Sequence, residues 1–242
     1  MRINRFLARA GLGSRRGVED LVRGGRVTVN GEPVRDLGRR VDPDHDEVCV
    51  DGCPVRPEVD TVVLVLHKPV GVVSSLRRQG TAPCLLDLID REPGARLFHV
   101  GRLDRESSGL LLLTNDGDLS QALLHPSRPV WKVYEVRTVH PVDGATLEQW
   151  RHGATSLDGR QLSPIRAHVD PDDPRHLRLE LREGRNRQIR RMAEAAGTRV
   201  DTLHRTAFGP VTLGDLPPGA SRPVTAAELE ALRAIPAAAG RD

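Results

Sequence analysis

Residues 109–113 read Gly-Leu-Leu-Leu-Leu. The run is far short of the ~20 residues that span a bilayer. It is also too continuous for a strand with one wet face, and it fits a strand buried on both sides. Val62–Leu66 has the same character, and Val133–Val139 and Leu177–Leu181 are further strand candidates. Helical spacing falls at Leu85–Ile89, Leu119–Leu124, Ala145–His152, Arg187–Ala196 and Ala226–Ala234. These stretches alternate with the strands in no regular βαβ beat. The pattern predicts an α+β fold with a mixed, mainly antiparallel sheet, not a doubly wound one. A chain of 242 residues has room for one such domain and a smaller one.

The smaller one lies in front. The first 26 residues hold seven arginines, Arg2, Arg5, Arg9, Arg15, Arg16, Arg23 and Arg26, against Glu19 and Asp20. Residues 27–60 hold four arginines against nine acids, so the charge is segregated. Arg2, Arg5 and Arg9 share one helical face, and Ile3, Phe6, Leu7 and Ala10 form the apolar one. Gly11 and Gly13 end that helix. Ser14 is placed to cap a second helix, with Arg15, Arg16 and Arg23 outside and Val18, Leu21 and Val22 inside. Val27-Thr28-Val29 alternates like a strand, and Asn30-Gly31 is a strong hairpin turn. The unit 1–52 is thus helix, helix, hairpin. Two arginine-bearing helices can hold phosphates, although a solvated helical face gives the same pattern. Residues 53–60, with Pro54, Pro57 and three charges, read as a linker. Residues 61–236 form the larger domain, and 237–242 a tail.

Composition adds limits. Net charge is +3, and the basic residues are arginines except for Lys68 and Lys132. Three cysteines, Cys49, Cys53 and Cys84, do not make a disulfide framework, and no paired Cys or His set points to zinc. Met1–Ala10 is basic but lacks the apolar core and cleavage site of a signal peptide. The expected setting is cytoplasmic, with no membrane contact and a monomer as the default.

The segment before the leucine run carries chemistry. Val100-Gly101-Arg102-Leu103-Asp104-Arg105-Glu106-Ser107-Ser108 sets a carboxylate between two arginines at the mouth of a buried strand. A carboxylate held ionised and poorly hydrated suits a nucleophile or base. A structural ion pair at a strand entrance serves the spacing equally well.

The wider motifs carry a resemblance. Residues 1–52 resemble the S-four type of RNA-binding domain through Arg2–Gly11, Ser14-Arg15-Arg16 and Gly25–Gly31. Gly101-Arg102-Leu103-Asp104 with Ser108–Gly117 resembles the RsuA/RluB-type ribosomal RNA pseudouridine synthases. So do His67–Ser75, Lys132–Val136 and Glu183–Met192, in the family's order. Ser107-Ser108 and Val133 depart slightly from the family pattern.

The resemblance implies isomerisation of uridine to pseudouridine in structured ribosomal RNA, without a cofactor. It implies large-subunit (23S) RNA in preference to small-subunit (16S) RNA, met as an assembly intermediate. Asp104 would be the essential carboxylate, attacking C1′ or removing the 2′ proton. Tyr134 would stack on the uracil, and Arg185 would pair with the aspartate. Arg102 would fill the gap left by the flipped nucleotide. Lys68, Arg187 and Arg190 would contact RNA, together with the arginines and Ser14 of the front domain. A non-catalytic assembly factor of the same fold, and a glycoside hydrolase using paired carboxylates, are the competing classes.

Overall fold

The computed structural model describes residues 1–13, 17–57, 61–78, 80–89 and 97–235. It divides into a unit built on Met1–Val62 and a larger one built on Val63–Asp90 and Leu97–Asp242.

The first unit holds helices α1 (Ile3–Arg9) and α2 (Glu19–Arg23) and strands β1 (Val27–Val29), β2 (Glu32–Pro33), β3 (Val48–Val50) and β4 (Cys53–Val55). The strands form an antiparallel sheet in the order β2-β1-β3-β4. Asn30 and Gly31 both have positive φ, 52° and 82°, as a two-residue hairpin requires. Ile3, Phe6 and Leu7 of α1 join Val18, Val22, Val27 and Val29 in one core, so the amphipathic reading holds. Ser14, Arg15 and Arg16 lie outside the described residues, and α2 is seen from Glu19. Residues 53–55, expected in the linker, instead form the edge strand β4.

The larger unit runs β5 (Val63–Lys68), a 3-10 turn (Leu85–Leu88), β6 (Phe98–Val100), β7 (Ser108–Thr114), α3 (Gly117–Leu124), β8 (Lys132–Thr138) and α4 (Gly144–Arg151). It continues with β9 (Ser156–Leu157), β10 (Arg160–Gln161), β11 (Arg166–Val169), β12 (His176–Leu181) and α5 (Gln188–Ala195). β13 (Val200–Phe208), β14 (Val211–Thr212), β15 (Ser221–Pro223) and α6 (Ala226–Arg233) complete it. The expected helix over Leu85–Ile89 is only this one turn: the Asp87 carboxylate accepts from the Cys84 N–H at 2.9 Å and caps its start, and Ile89 is already extended.

The main sheet is ordered β11-β12-β8-β13-β7-β5-β15, with β14 on β13 and β6 on β7. It is mixed and mainly antiparallel, as the sequence predicts. The exception is β13 beside β7, a parallel pair made only by His204 with Ser108 and Arg205 with Gly109. Beyond that point β7 takes β6 as its neighbour, from Leu112 to Thr114. Leu110–Leu113 are fully buried, so both faces of β7 are covered. Leu110 and Leu112 pack with Val65, Phe208 and Leu232. A second core joins Val136, Leu177 and Leu179 of the sheet to Trp150 of α4 and Met192 of α5. Helix starts follow local chemistry: Asp116, Asp143 and Thr225 cap α3, α4 and α6 with their side chains. Among the described residues, no helix is long and apolar enough to cross a membrane.

Candidate active site

Asp104 sits on the turn between β6 and β7, and that turn is fastened from two sides. Beneath it run residues 68–74. Ser74 Oγ donates to Leu103 O at 2.6 Å and accepts from Leu103 N at 3.1 Å. Gly71 N donates to Arg105 O at 2.8 Å, and Arg105 Nε returns a bond to Gly71 O at 3.1 Å. Lys68 Nζ donates to Ser107 O at 2.7 Å and to Pro69 O at 2.9 Å. The second side is α5, where Arg190 Nη2 donates to Glu106 O at 3.0 Å and to Ser107 Oγ at 3.2 Å. Every backbone carbonyl from Leu103 to Ser107 taken up here is one fewer way for the carboxylate to wander.

The cations around Asp104 are Arg187, with Nη1 at 3.6 Å, and Arg190, with Nε at 3.9 Å. Arg190 is buried, whereas Arg187 is exposed and also bonds Glu106 at 3.0 Å. That bond is the main cause holding the Glu106 carboxyl below its usual range. Arg187 has φ 50° and ψ 33°, a left-handed conformation uncommon for a side chain of its size, at the start of α5. Lys68 is fully buried, and burial pulls its ammonium down to about 8, against the pull of Asp104 and then Glu106.

Asp104 opens onto a cleft of about 1150 Å³ that is also lined by Tyr134 from β8 and Arg205 from β13. Arg102, exposed, stands at the same cleft. Tyr134 and Arg205 are cross-strand partners, and the guanidinium carbon lies 6.0 Å from the ring centroid. Trp131 also lines the cleft, and the guanidinium carbons of Arg166 and Arg182 lie over its ring, 4.5 Å and 4.3 Å from the centroid. A pinned carboxylate, an aromatic ring and a cationic, aromatic rim in one cleft suit a flat, unstacked nucleobase attached to an anionic backbone.

Comparison with known proteins agrees. Residues 62–195 match the RNA pseudouridylate synthase family, and residues 1–48 match the S4 domain. The chain belongs to the RNA pseudouridylate synthase family. The synthase is 43% identical over 235 residues to an uncharacterized RNA pseudouridine synthase of Mycobacterium leprae, covering 96% of this chain and 92% of the relative. It is 35% identical over 240 residues to the ribosomal large subunit pseudouridine synthase B of Bacillus subtilis, covering 97% and 96% of the two chains. A solved structure described as a pseudouridylate synthase superposes with a TM-score of 0.69 at 28% identity, covering 96% of this chain and 99% of that one.

The structure brings Asp104, Tyr134, Arg102, Arg185 and Arg187 of the synthase to one cleft, but not in all the expected pairings. Arg185 was expected beside the aspartate. Its guanidinium instead donates to Arg160 O at 3.1 Å and Gln161 O at 2.6 Å, and faces Glu183 at 3.4 Å. The loop before α5 turns it toward β10, and one helical turn later Arg190 takes the place beside Asp104. Arg190 and Lys68, expected to touch RNA, are both buried against the Asp104 turn, where they donate to the carbonyls of Glu106 and Ser107. In the S4 unit, Arg23 pairs with Glu19 at 3.0 Å, and Arg26 donates through Nε and Nη2 to the two carboxylate oxygens of Asp51. Arg2 is exposed, and Arg5 and Arg9 are half-buried on α1. Sequence reading passed over Ser74, Gly71, Lys132 and Arg205. The one signal for the first two was their place in the His67–Ser75 motif.

Proposed function

We propose that this pseudouridine synthase isomerises a uridine of large-subunit ribosomal RNA, with Asp104 as the group that acts on the ribose. The observation that carries this reading is the fastened Asp104 turn, which aims one carboxylate into a cleft shared with Tyr134. The reaction breaks C1′–N1 and joins C5 to C1′, with no change of oxidation state. Asp104 either bonds C1′ or takes the 2′ proton. Tyr134 lies against the base. Arg190 holds the aspartate, in the role first assigned to Arg185, and Arg102 stands where it can fill the stack behind a flipped nucleotide. The S4 unit supplies phosphate contacts from Arg2, Arg5 and Arg9, and from Arg23 and Arg26 where RNA phosphates compete with Glu19 and Asp51. Large-subunit RNA is favoured by the name of the Bacillus subtilis relative and by near full-length overlap with it. The setting is the cytoplasm, acting as a monomer on an assembly intermediate.

The test is release of tritium from [5-³H]uridine-labelled rRNA of cells lacking the gene. The wild type should release it from 23S RNA, and Asp104→Asn should bind the RNA but release none. Release from 16S RNA alone moves the substrate to the small subunit. No release from either RNA sinks the reading and leaves a binding protein.

A further inference from the structure

Arg205 is the most unusual cation in the larger unit. It sits on β13 with 2% of its surface exposed, yet it lines the cleft. Its Nε donates to Leu110 O at 2.7 Å, which fixes the plane of the guanidinium. Its Nη2 is buried and meets no acceptor among the described residues. No carboxylate among the described residues comes within ion-pair distance of it. A buried donor left open is costly, more so when it is charged, and such groups are kept where something else fills them.

Its surroundings sharpen the point. The guanidinium carbon is 6.0 Å from the Tyr134 centroid and 5.5 Å from the Phe208 centroid. Lys132 Nζ lies over the same Phe208 ring at 5.5 Å, and Lys132 also lines the cleft. Among the described residues, Lys132 bonds to the carbonyls of Val130 and Arg182, at 3.0 Å and 3.1 Å. Burial first, and then Arg205, draw its ammonium down to about 8. Two cations therefore share one aromatic ring beside Tyr134, and the charge they leave over is positive. Arg190, by contrast, is matched by Asp104.

We propose that Arg205 is a catalytic residue, whose open Nη2–H donates to a carbonyl oxygen of the uracil as its bond to the ribose breaks. This rests on the pseudouridine synthase reading of the cleft. When C1′–N1 breaks, the bonding pair leaves with the base, and the charge spreads over N1, O2 and O4. Asp104 meanwhile bonds C1′ or takes the 2′ proton. C5 of the turned base then joins C1′, Asp104 is released or returns the proton to C2′, the C5 proton passes to a base, and N1 takes a proton from solvent. Both routes pass through an anionic uracil. A donor fixed in a water-poor site, at the place where charge develops, stabilises that state more than the neutral substrate. Lys132 adds its field without touching the base.

The experiment compares wild type and Arg205→Gln under single-turnover conditions, on rRNA made with [5-³H]uridine and on the same RNA made with 5-fluorouridine. The second base is the more acidic leaving group and needs less help, and its C5-linked product is followed by nucleoside chromatography after digestion. On uridine, Arg205→Gln should lose about 100-fold in rate, with RNA affinity changed by less than about threefold. On 5-fluorouridine the deficit should shrink by at least tenfold. If the folded variant turns over uridine within threefold of wild type, or shows the same deficit on both bases, Arg205 does not hold the base and the inference is overturned. Should Arg205→Gln fail to fold, Arg205→Lys carries the same comparison, since it keeps the charge and loses the fixed fork. A wild type that releases no tritium would sink the synthase reading itself, a result distinct from a silent Arg205 variant.

Discussion

Arg190 Nε lies 3.9 Å from Asp104 Oδ2, and the arginine side chain is 9% exposed against 32% for the aspartate. The same guanidinium donates to Glu106 O and Ser107 Oγ. One side chain thus both faces the carboxylate and fastens the turn that carries it. Arg190→Gln should lower stability by about 1.5–3 kcal/mol, the worth of hydrogen bonds from a charged donor, and should cut turnover more than tenfold. Arg185→Gln, whose bonds run to Arg160 and Gln161, should cost less than about fivefold in turnover. Denaturant melts and tritium release on both variants decide it. The assignment is reversed if Arg185→Gln is inactive and Arg190→Gln is not.

Lys68 gives the fold a base-limb signature. Its ammonium is pulled to about 8 from 10.5 in the folded chain. Between those values the unfolded chain binds more protons, so folding stability rises with pH. The slope is at most about 1.4 kcal/mol per pH unit for one group. Below about pH 8 both states carry the charge, and the cost of burying it is felt in full. Lys132 behaves alike, and the sequence has no third lysine. Comparing wild type with Lys68→Met by chemical denaturation from pH 7.5 to 10 isolates Lys68, since Lys132, Tyr134 and the amino terminus cancel. The stability of wild type relative to the variant should climb with pH, and a flat difference would contradict the burial of a charged Lys68.

What the sequence made legible, and what it did not, follows from how far each feature depends on distant parts of the chain. Leu110–Leu113 were readable as a two-sided strand because burial on both faces removes the alternation that water imposes. Asn30-Gly31 was readable because the turn needs two positive φ values in a row, and few residue pairs supply them. Cys53–Val55 was missed because Pro54 reads as a strand breaker. At an edge its missing N–H costs no ladder bond, and β4 is an edge. Asp104, Tyr134 and Arg102 were found through local motifs and do share a cleft. Arg185 and Arg190 lie in the same motif, and only the path of the chain through the left-handed Arg187 decides which of them turns to the aspartate. Arg205 had no signal of its own, since an arginine in a strand reads as an exposed position until the strand order buries it.

Gly109 should be irreplaceable for a backbone reason. Its φ is +109°, and a Cβ there would stand 2.2 Å from Arg205 O and 2.5 Å from Arg205 N. These are main-chain atoms of the only parallel pair described in the sheet, and they cannot step aside without parting β7 from β13. Gly109→Ala should therefore cost at least about 3 kcal/mol or leave no soluble folded protein. Because Arg205 is the residue displaced, activity should fall further than the loss of folded material explains. A melting temperature within about two degrees of wild type would show that the strands can separate at little cost.

Trp131 tests the rim apart from the chemistry. The guanidinium groups of Arg166 and Arg182 both lie over its ring, and Arg166 is also tied to Glu180 at 3.2 Å. The stack keeps two long cations at the cleft, and a base can take an arginine's place on the ring. Stacking on an aromatic contributes about 1–3 kcal/mol per base, so Trp131→Ala should weaken RNA binding at least about fivefold. The single-turnover rate at saturating RNA should change much less, because neither Asp104 nor its supports touch the ring. The salt dependence of binding should soften as well, since the two freed arginines no longer meet the backbone at fixed positions. Unchanged affinity with a large loss of rate would instead place Trp131 against the reacting base, and the rim would no longer be a binding surface.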